Sequence, residues 1–541
     1  MKSALLTRCS ALIVFASGAG LALSAGPAAS GEKANAQGAA SGVVMFGGTP
    51  ARNMVNTTAK DVPTEWDVKS GKNIKWTAKL GSRAYAGPIV ADGKVFVGTN
   101  NETPRNRRDT KGGFPIDMGN LMCFRESDGG FLWQSANDKL SSGRTNDWPR
   151  EGLCSTPAIE GKRLYFVTNR GQLLCARTDG LLDGKNEGVT DEKYHDKTDA
   201  DLIWRLDMIV DLNVYPHNMS SCSPLLVGDE LFVITGNGVD EGHINIPSPS
   251  APSFIAVDKN TGKVLWSSNA PGRNIMHGQW ASPTYTESGG RPQVIFPGGD
   301  GWLRSYAPKT GELLWSFDCN PKDSKYDLGG KGTRSDFIAT PVVYEDKIYI
   351  GVGQDPEHNE GVGHLWCIDP TKSGDVSPTL VTDASSSPPK TKPNPNSAAV
   401  WHFGGPAPRD VQAKLNKPYY FGRTMSSCAV HDGLCYACDL SGSFWCLDAK
   451  TGKDYWMEDL TAGVWGSPYW VDNKVYIGND DGDVHIFAHG KAKNLIAKIE
   501  MGDAIRSTPN VTNGVLYVMT QTHLYAIQQK GKAQAAAGSE K

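Results

Sequence analysis

Residues 280–318 read WASPTYTESGGRPQVIFPGGDGWLRSYAPKTGELLWSFD. Four short apolar runs are separated by turns. Ser282-Pro283 opens the first run and Gly289-Gly290 leads into the second. Pro297-Gly298-Gly299-Asp300-Gly301 precedes the third, Trp302 to Ala307, and Lys309-Thr310-Gly311 turns into a fourth that ends on Trp315. Period-two alternation between Gly-rich turns predicts a four-stranded antiparallel meander. A sheet this small has two faces to bury and does not stand alone. The chain must therefore hold copies of it on both sides.

The copies are found from their starts and their late tryptophans. The starts are Gly87-Pro88, Thr156-Pro157, Ser223-Pro224, Ser282-Pro283, Thr340-Pro341, Cys428-Ala429, Ser467-Pro468 and Thr508-Pro509. The first six copies end on Trp133, Trp204, Trp266, Trp315, Trp401 and Trp456; the seventh ends near Ile496 without one. The eighth has only three runs, and residues 72–80, carrying Trp76, supply the missing fourth. The expected fold is all-β: an eight-bladed propeller of four-stranded blades over residues 43–530, its last blade closed by the N-terminal strand. Residues 371–399 and 404–422 interrupt the period, as do polar loops at 101–119 and 183–198; the Pro-rich 371–399 reads as a solvated spacer.

Composition narrows the function classes. The chain has 541 residues and a net charge of −3, so neither nucleic acid nor an acidic tail is implied. Residues 1–25 read as a signal peptide, with Lys2 and Arg8 ahead of the apolar run Ala11 to Leu23 and small residues for cleavage. Residues 26–42 read as a flexible leader and 531–541 as a low-complexity tail. Export to the periplasm or cell envelope is the expectation, with no membrane span in the mature chain. Cys123, Cys175, Cys367 and Cys446 recur at one repeat position, which predicts buried thiols in separate blades. Cys435 and Cys438 form C-Y-A-C, but Asp439 follows where a c-type haem site needs His; a redox pair on one strand stays open.

The repeat SPYWVDNKVYIGNDDGDVHIF (Ser467–Phe487) and the run SFWCLDAKTGKDYW (Ser443–Trp456) resemble the pyrroloquinoline-quinone (PQQ)-like repeat propellers. The lead-in MFGGTPARN (Met45–Asn53) resembles the segment before the closing strand in that family. Two branches follow from the resemblance. One is the quinoprotein alcohol dehydrogenases, with quinone and calcium on the axis. The other is non-catalytic propellers similar to the lipoprotein of the outer-membrane barrel-assembly machinery. The first branch implies a calcium-holding Asn in a G-N-G or G-N-P turn, and Asn237 in Gly236-Asn237-Gly238 stands there; a Gly-rich left-handed turn explains the same residues. It also implies a carboxylate base soon after the third Trp, where Met276 stands instead, beside His277. Asp327, in Pro321–Asp327, resembles that motif one blade late. No adjacent cysteine pair is present, and Thr168-Asn169-Arg170-Gly171 offers no match to the family's calcium-site Glu.

Each first strand is innermost in such a fold, so the residues just before each start crowd one channel mouth. Arg83, Arg150, Arg334, Arg423 and Arg506 all fall there, with His277, Gln279, Trp280 and Trp465. Their planar forks suit carboxylate or phosphate. Two explanations stand: an anionic ligand or an acidic partner, or ion pairs with nearby Glu151, Asp336 and Asp503 that pin the blades. The expected function is a binding or assembly scaffold for a protein or an anionic small molecule. The other reading is a PQQ-dependent oxidoreductase acting on alcohols or sugars, with Asn237 near calcium and His277 or Asp327 as base.

Overall fold

The computed structural model describes residues 43–354, 357 and 361–529. The expected signal peptide, the leader and the tail at 531–541 lie outside the described residues. Thr284–Thr286, Gln293–Pro297, Trp302–Tyr306 and Leu313–Asp318 form the expected meander, with consecutive strands antiparallel. It is blade 4 of eight. Blade 1 runs from Ile89 to Asp138, blade 2 from Ala158 to Asp207 and blade 3 from Leu225 to Ser268. Blades 5, 6 and 7 run from Val342 to Gly404, Ala429 to Asp459 and Tyr469 to Glu500. In blade 8, Ile74–Lys79 is the outer strand beside His523–Ile527, antiparallel to it.

The repeated residues have physical reasons. In blade 4 Trp315 donates within its own blade, to Gln293 Oε1 (2.6 Å), but elsewhere the indole N–H of the late Trp donates across the blade boundary to a turn carbonyl of the next blade. Trp76 reaches Glu126 (2.9 Å), Trp133 reaches Thr178 (3.0 Å), Trp204 reaches Lys259 (2.9 Å), Trp266 reaches Pro308 (2.6 Å), and Trp401 reaches Ala449 (2.9 Å). The ring lies on the Gly of that turn: a Cβ on Gly262 or Gly311 would sit 2.7 Å from the indole of Trp204 or Trp266. Directly across the strand pair from the Trp sits the recurring cysteine: Cys123 opposes Trp133, Cys175 Trp204, Cys367 Trp401 and Cys446 Trp456. All four thiols are buried, and among the described residues the cysteines are free. Cys435 and Cys438 are buried thiols on one strand, Leu434–Cys438.

The Ser/Thr of each start builds the channel wall. Its hydroxyl accepts the backbone N–H of the equivalent residue one blade earlier: Thr156 to Ser223 (3.0 Å), Ser223 to Ser282 (2.9 Å), Ser282 to Thr340 (3.2 Å), Ser427 to Ser467 (3.0 Å) and Ser467 to Thr508 (2.9 Å). These bonds satisfy buried donors that no sheet ladder reaches.

The lead-in crosses the inner strands of seven blades. Val44 pairs with Ile159, Pro50 O accepts from Tyr285 N (3.0 Å), and Ala51 O accepts from Val343 N (2.8 Å). Asn53 exchanges two bonds with Val430, Val55 pairs with Trp470, and Asn56 donates to Val511 O (3.0 Å). Arg52 is 0% exposed and donates to the carbonyls of Phe46, Ser223, Pro224 and Pro283 at 2.8–3.1 Å. Burial lowers its pKa to about 10, so it remains a cation at neutral pH.

The 371–399 insertion is more than the solvated spacer expected. Gly374 and Asp375 pair in parallel with Trp315 and Ser316 of blade 4, and Asp318 N donates to Ser377 Oγ (2.9 Å). Its hairpin, Thr379–Asp383 with Lys390–Pro393, stands mostly in solvent. The Pro and Ser content conceals an added edge strand because that pairing is only two residues long.

Candidate functional site

The segments ahead of the inner strands meet around a cavity of ≈ 330 Å³ to which all eight blades contribute. Tyr85, Trp148, Trp280 and Trp465 form an aromatic wall, and Phe46 of the lead-in is part of the lining. Behind Phe46 lies the Arg52 guanidinium, 5.8 Å from the ring centre. The hydroxyl-ring residues Thr156, Ser223, Ser282, Thr340, Ser467 and Thr508 border the same space. Cys154 also borders it, but burial pushes its thiol up to about 12, so it stays protonated and is no nucleophile at neutral pH.

Three of the nine expected mouth residues line this cavity: Trp280, Trp465 and Arg506. Arg506 stacks 4.7 Å from the Trp465 ring centre, donates to Asp480 Oδ1 (2.8 Å) and Tyr85 Oη (3.0 Å), and Trp465 Nε1 donates to Asp480 Oδ2 (3.0 Å). The other arginines are engaged elsewhere. Arg83 faces Glu151 at 3.8 Å and Arg150 faces Glu102 at 3.8 Å. Arg334 donates to Asp318 Oδ1 (2.5 Å), Asp300 O (2.8 Å) and Ser324 Oγ (3.2 Å). Arg423 is half-buried, and its carbonyl accepts from Leu440 N (2.8 Å). Gln279 is buried and spans Asn237 O (2.7 Å), Ser253 Oγ (2.9 Å) and Gly299 N (3.2 Å). Asp327 is exposed in the loop after blade 4.

His277 is fully buried in a cluster that sequence reading does not assemble. Its Nε2 lies 3.1 Å from His243 Nε2, which lies 3.2 Å from His217 Nε2. Glu357 Oε2 is 3.7 Å from His277 Nε2, and the four ligand atoms fall within 4.8 Å of one another. The residues come from four loops: His217 ahead of blade 3, His243 inside it, His277 between blades 3 and 4, and Glu357 inside blade 5. His217 Nδ1 donates to Val239 O (2.9 Å), which fixes the tautomer and leaves the Nε2 lone pair facing the cluster. Asn218 Nδ2 donates to Glu357 Oε1 (3.0 Å). Both Asn218 and Glu357 also line the axial cavity, and Trp280 Nε1 donates to His217 O (3.1 Å), so cluster and cavity share a wall.

Gly236-Asn237-Gly238 is the floor of this cluster. A Cβ on Gly238 would sit 2.6 Å from His217 Cβ and 2.7 Å from His277 O. Asn237 is buried, accepts from Tyr215 N (2.9 Å) and donates to Ser248 O (2.9 Å). Its side chain ties two loops together. The signal for the histidines was present as His217, His243 and His277 on three successive loops, but no short motif joins residues so far apart in sequence.

A curated relative, tetrathionate hydrolase of Acidithiobacillus ferrooxidans, is 23% identical over 388 residues, 64% of this chain and 62% of the relative, so the match spans less than two thirds of that protein. Quinohemoprotein alcohol dehydrogenase ADHIIG from Pseudomonas putida HK5 shares the fold, with TM-score 0.54 and 12% identity over 91% of this chain and 81% of that one. BamB from Moraxella catarrhalis aligns at TM-score 0.48 and 16% identity, covering 84% of this chain and 97% of that one. Residues 117–390 and 391–535 match the family described as outer membrane protein assembly factor BamB, and the chain belongs to that family.

Proposed function

We propose that this chain is an exported binding propeller of the periplasm or cell envelope whose axial cavity seats a small organic anion. The observation that carries the reading is the aromatic wall of Tyr85, Trp148, Trp280 and Trp465 above the buried Arg52 cation. Aromatic faces bind an apolar body, while the cation sets a positive potential beneath it. Arg52 has no ion pair among the described residues; backbone carbonyls hold it, so no carboxylate neutralises its charge. The name of the curated relative points to an anionic substrate, in keeping with this reading. Family membership supports protein partners as well, and an acidic partner segment at this mouth is the other occupant the chemistry admits.

The quinone branch fits poorly. A PQQ-dependent oxidation needs a carboxylate base where Met276 is buried. A thioether takes no proton at neutral pH. Dye reduction with added PQQ and calcium should show no turnover with alcohols or aldoses. The positive test is fluorescence titration with anilinonaphthalene sulfonate, a flat aromatic anion. One saturable site per chain, weakened in Trp280→Ala and Trp465→Ala, is expected. No saturable binding, or the same binding in both variants, would refute the axial seat.

A further inference from the structure

We infer that His217, His243, His277 and Glu357 hold one divalent transition-metal ion of the zinc class at the edge of the axial cavity. This inference does not rest on the ligand reading above. The geometry comes first. Four ligands at about 2.0–2.1 Å around a tetrahedral zinc stand about 3.3–3.4 Å apart. His243 Nε2 stands 3.1 Å from His277 Nε2 and 3.2 Å from His217 Nε2, and the carboxylate oxygen lies 3.7 Å from His277 Nε2. Closing the wider spacings, none above 4.8 Å, brings the set to that tetrahedron.

The ligand chemistry comes next. Three imidazoles with one carboxylate suit zinc and its neighbours, whereas calcium takes six to eight oxygens. Support around the ligands is built in. Val239 O accepts a hydrogen bond from His217 Nδ1, and Asn218 holds the second oxygen of Glu357. Gly238 and Gly329 are the close approaches that let the rings converge: a Cβ on Gly329 would stand 2.6 Å from His243 Cβ. His243 itself takes a left-handed φ of 57°, a region that histidine enters more readily than most non-glycine residues.

The four ligands differ in exposure. His217 and His277 are 1% and 0% exposed, so they form the fixed part of the site. Glu357 is exposed, arrives from blade 5, and lines the cavity. It is therefore the exchangeable ligand. An anionic oxygen of a cavity ligand competes with it for the ion, which makes the metal an anchor for carboxylate, sulfonate or phosphate groups.

The test uses the full chain without a histidine tag, stripped with chelator and titrated with zinc by calorimetry. Expected is one equivalent per chain. In His243→Asn, which suits the left-handed backbone but removes the imidazole, affinity should fall about 100-fold or more, beyond the 10–100-fold usual for outer partners. Glu357→Gln should cost about tenfold. Cobalt in place of zinc should give the strong visible absorption of four-coordinate nitrogen–oxygen ligation, lost in His243→Asn. Unchanged melting of both variants in chelator separates lost binding from lost fold. The inference is overturned if zinc and cobalt fail to bind stoichiometrically, if His243→Asn binds as tightly as the parent, or if the cobalt spectrum is that of a six-coordinate aquo ion. In those cases the imidazoles form only an N–H···N chain.

Discussion

Gly311 and its equivalents show how single residues set the repeat. Gly311 has φ 70° and leaves no room for a Cβ beneath Trp266. Gly311→Ala combines a left-handed alanine, about 1–2 kcal/mol, with overpacking of about 1–3 kcal/mol. It should lower the melting temperature, whereas Gly433→Ala, also at positive φ (72°) but with nothing near its Cβ, should show only the smaller backbone cost. Equal effects at the two positions would mean that the indole contact carries no weight. Arg52 is the second such residue. Arg52→Ala orphans four carbonyls that it now serves, at about 1–3 kcal/mol for a buried group left unsatisfied. A thermal melt unchanged by this substitution would contradict the lead-in's role as a staple. At this scale the sequence was readable wherever a residue repeats. Trp, Cys, Gly and the Ser/Thr before Pro each recur because each answers one packing or hydrogen-bonding need. Arg52 and His243 occur once, and nothing in the period announces them.

Among elements, blade 5 carries a pH-sensitive pair. His364, on His364–Ile368, approaches His402 on Ala399–Gly404, with His364 Nδ1 2.9 Å from His402 Nε2. Burial, reinforced by the charge of His402, lowers the His364 pKa from 6.5 to about 4. The fold thus keeps this ring neutral while the unfolded chain protonates it. Stability is complete above about pH 6.5, falls as pH drops toward 4, and loses up to about 3 kcal/mol from this group. Comparing melts of the parent and His364→Leu across pH 7 to 4 should show a shallower fall in the variant; parallel curves would remove His364 from the account. The loops were harder to read than the blades. Of the pre-strand arginines expected at one mouth, only Arg506 lines the axial cavity, and Arg83, Arg150, Arg334 and Arg506 each face an acid. Their charge is spent locally, and sequence gives position along a strand without giving the rotamer. The 371–399 insertion failed for a related reason: two residues of parallel pairing leave no pattern in a Pro-rich run.

For the whole molecule, the function reading turns on what the axis holds. The period-two runs and the missing fourth strand were enough to infer eight blades, since each blade needs neighbours on both faces. The site was only half legible. The G-N-G turn stands out in sequence, but its packing against His217 and His277 does not, because convergence of three loops appears only in three dimensions. Among the described residues no helix is long and apolar enough to cross a membrane. The most direct measurement is an anomalous difference map at the zinc edge, from crystals of the full chain grown with zinc, calcium and PQQ all supplied. The account predicts a single strong zinc peak about 2.0–2.1 Å from the Nε2 atoms of His217, His243 and His277, with Glu357 closing the shell. No peak among these histidines, or ordered quinone with calcium on Asn237, would contradict it.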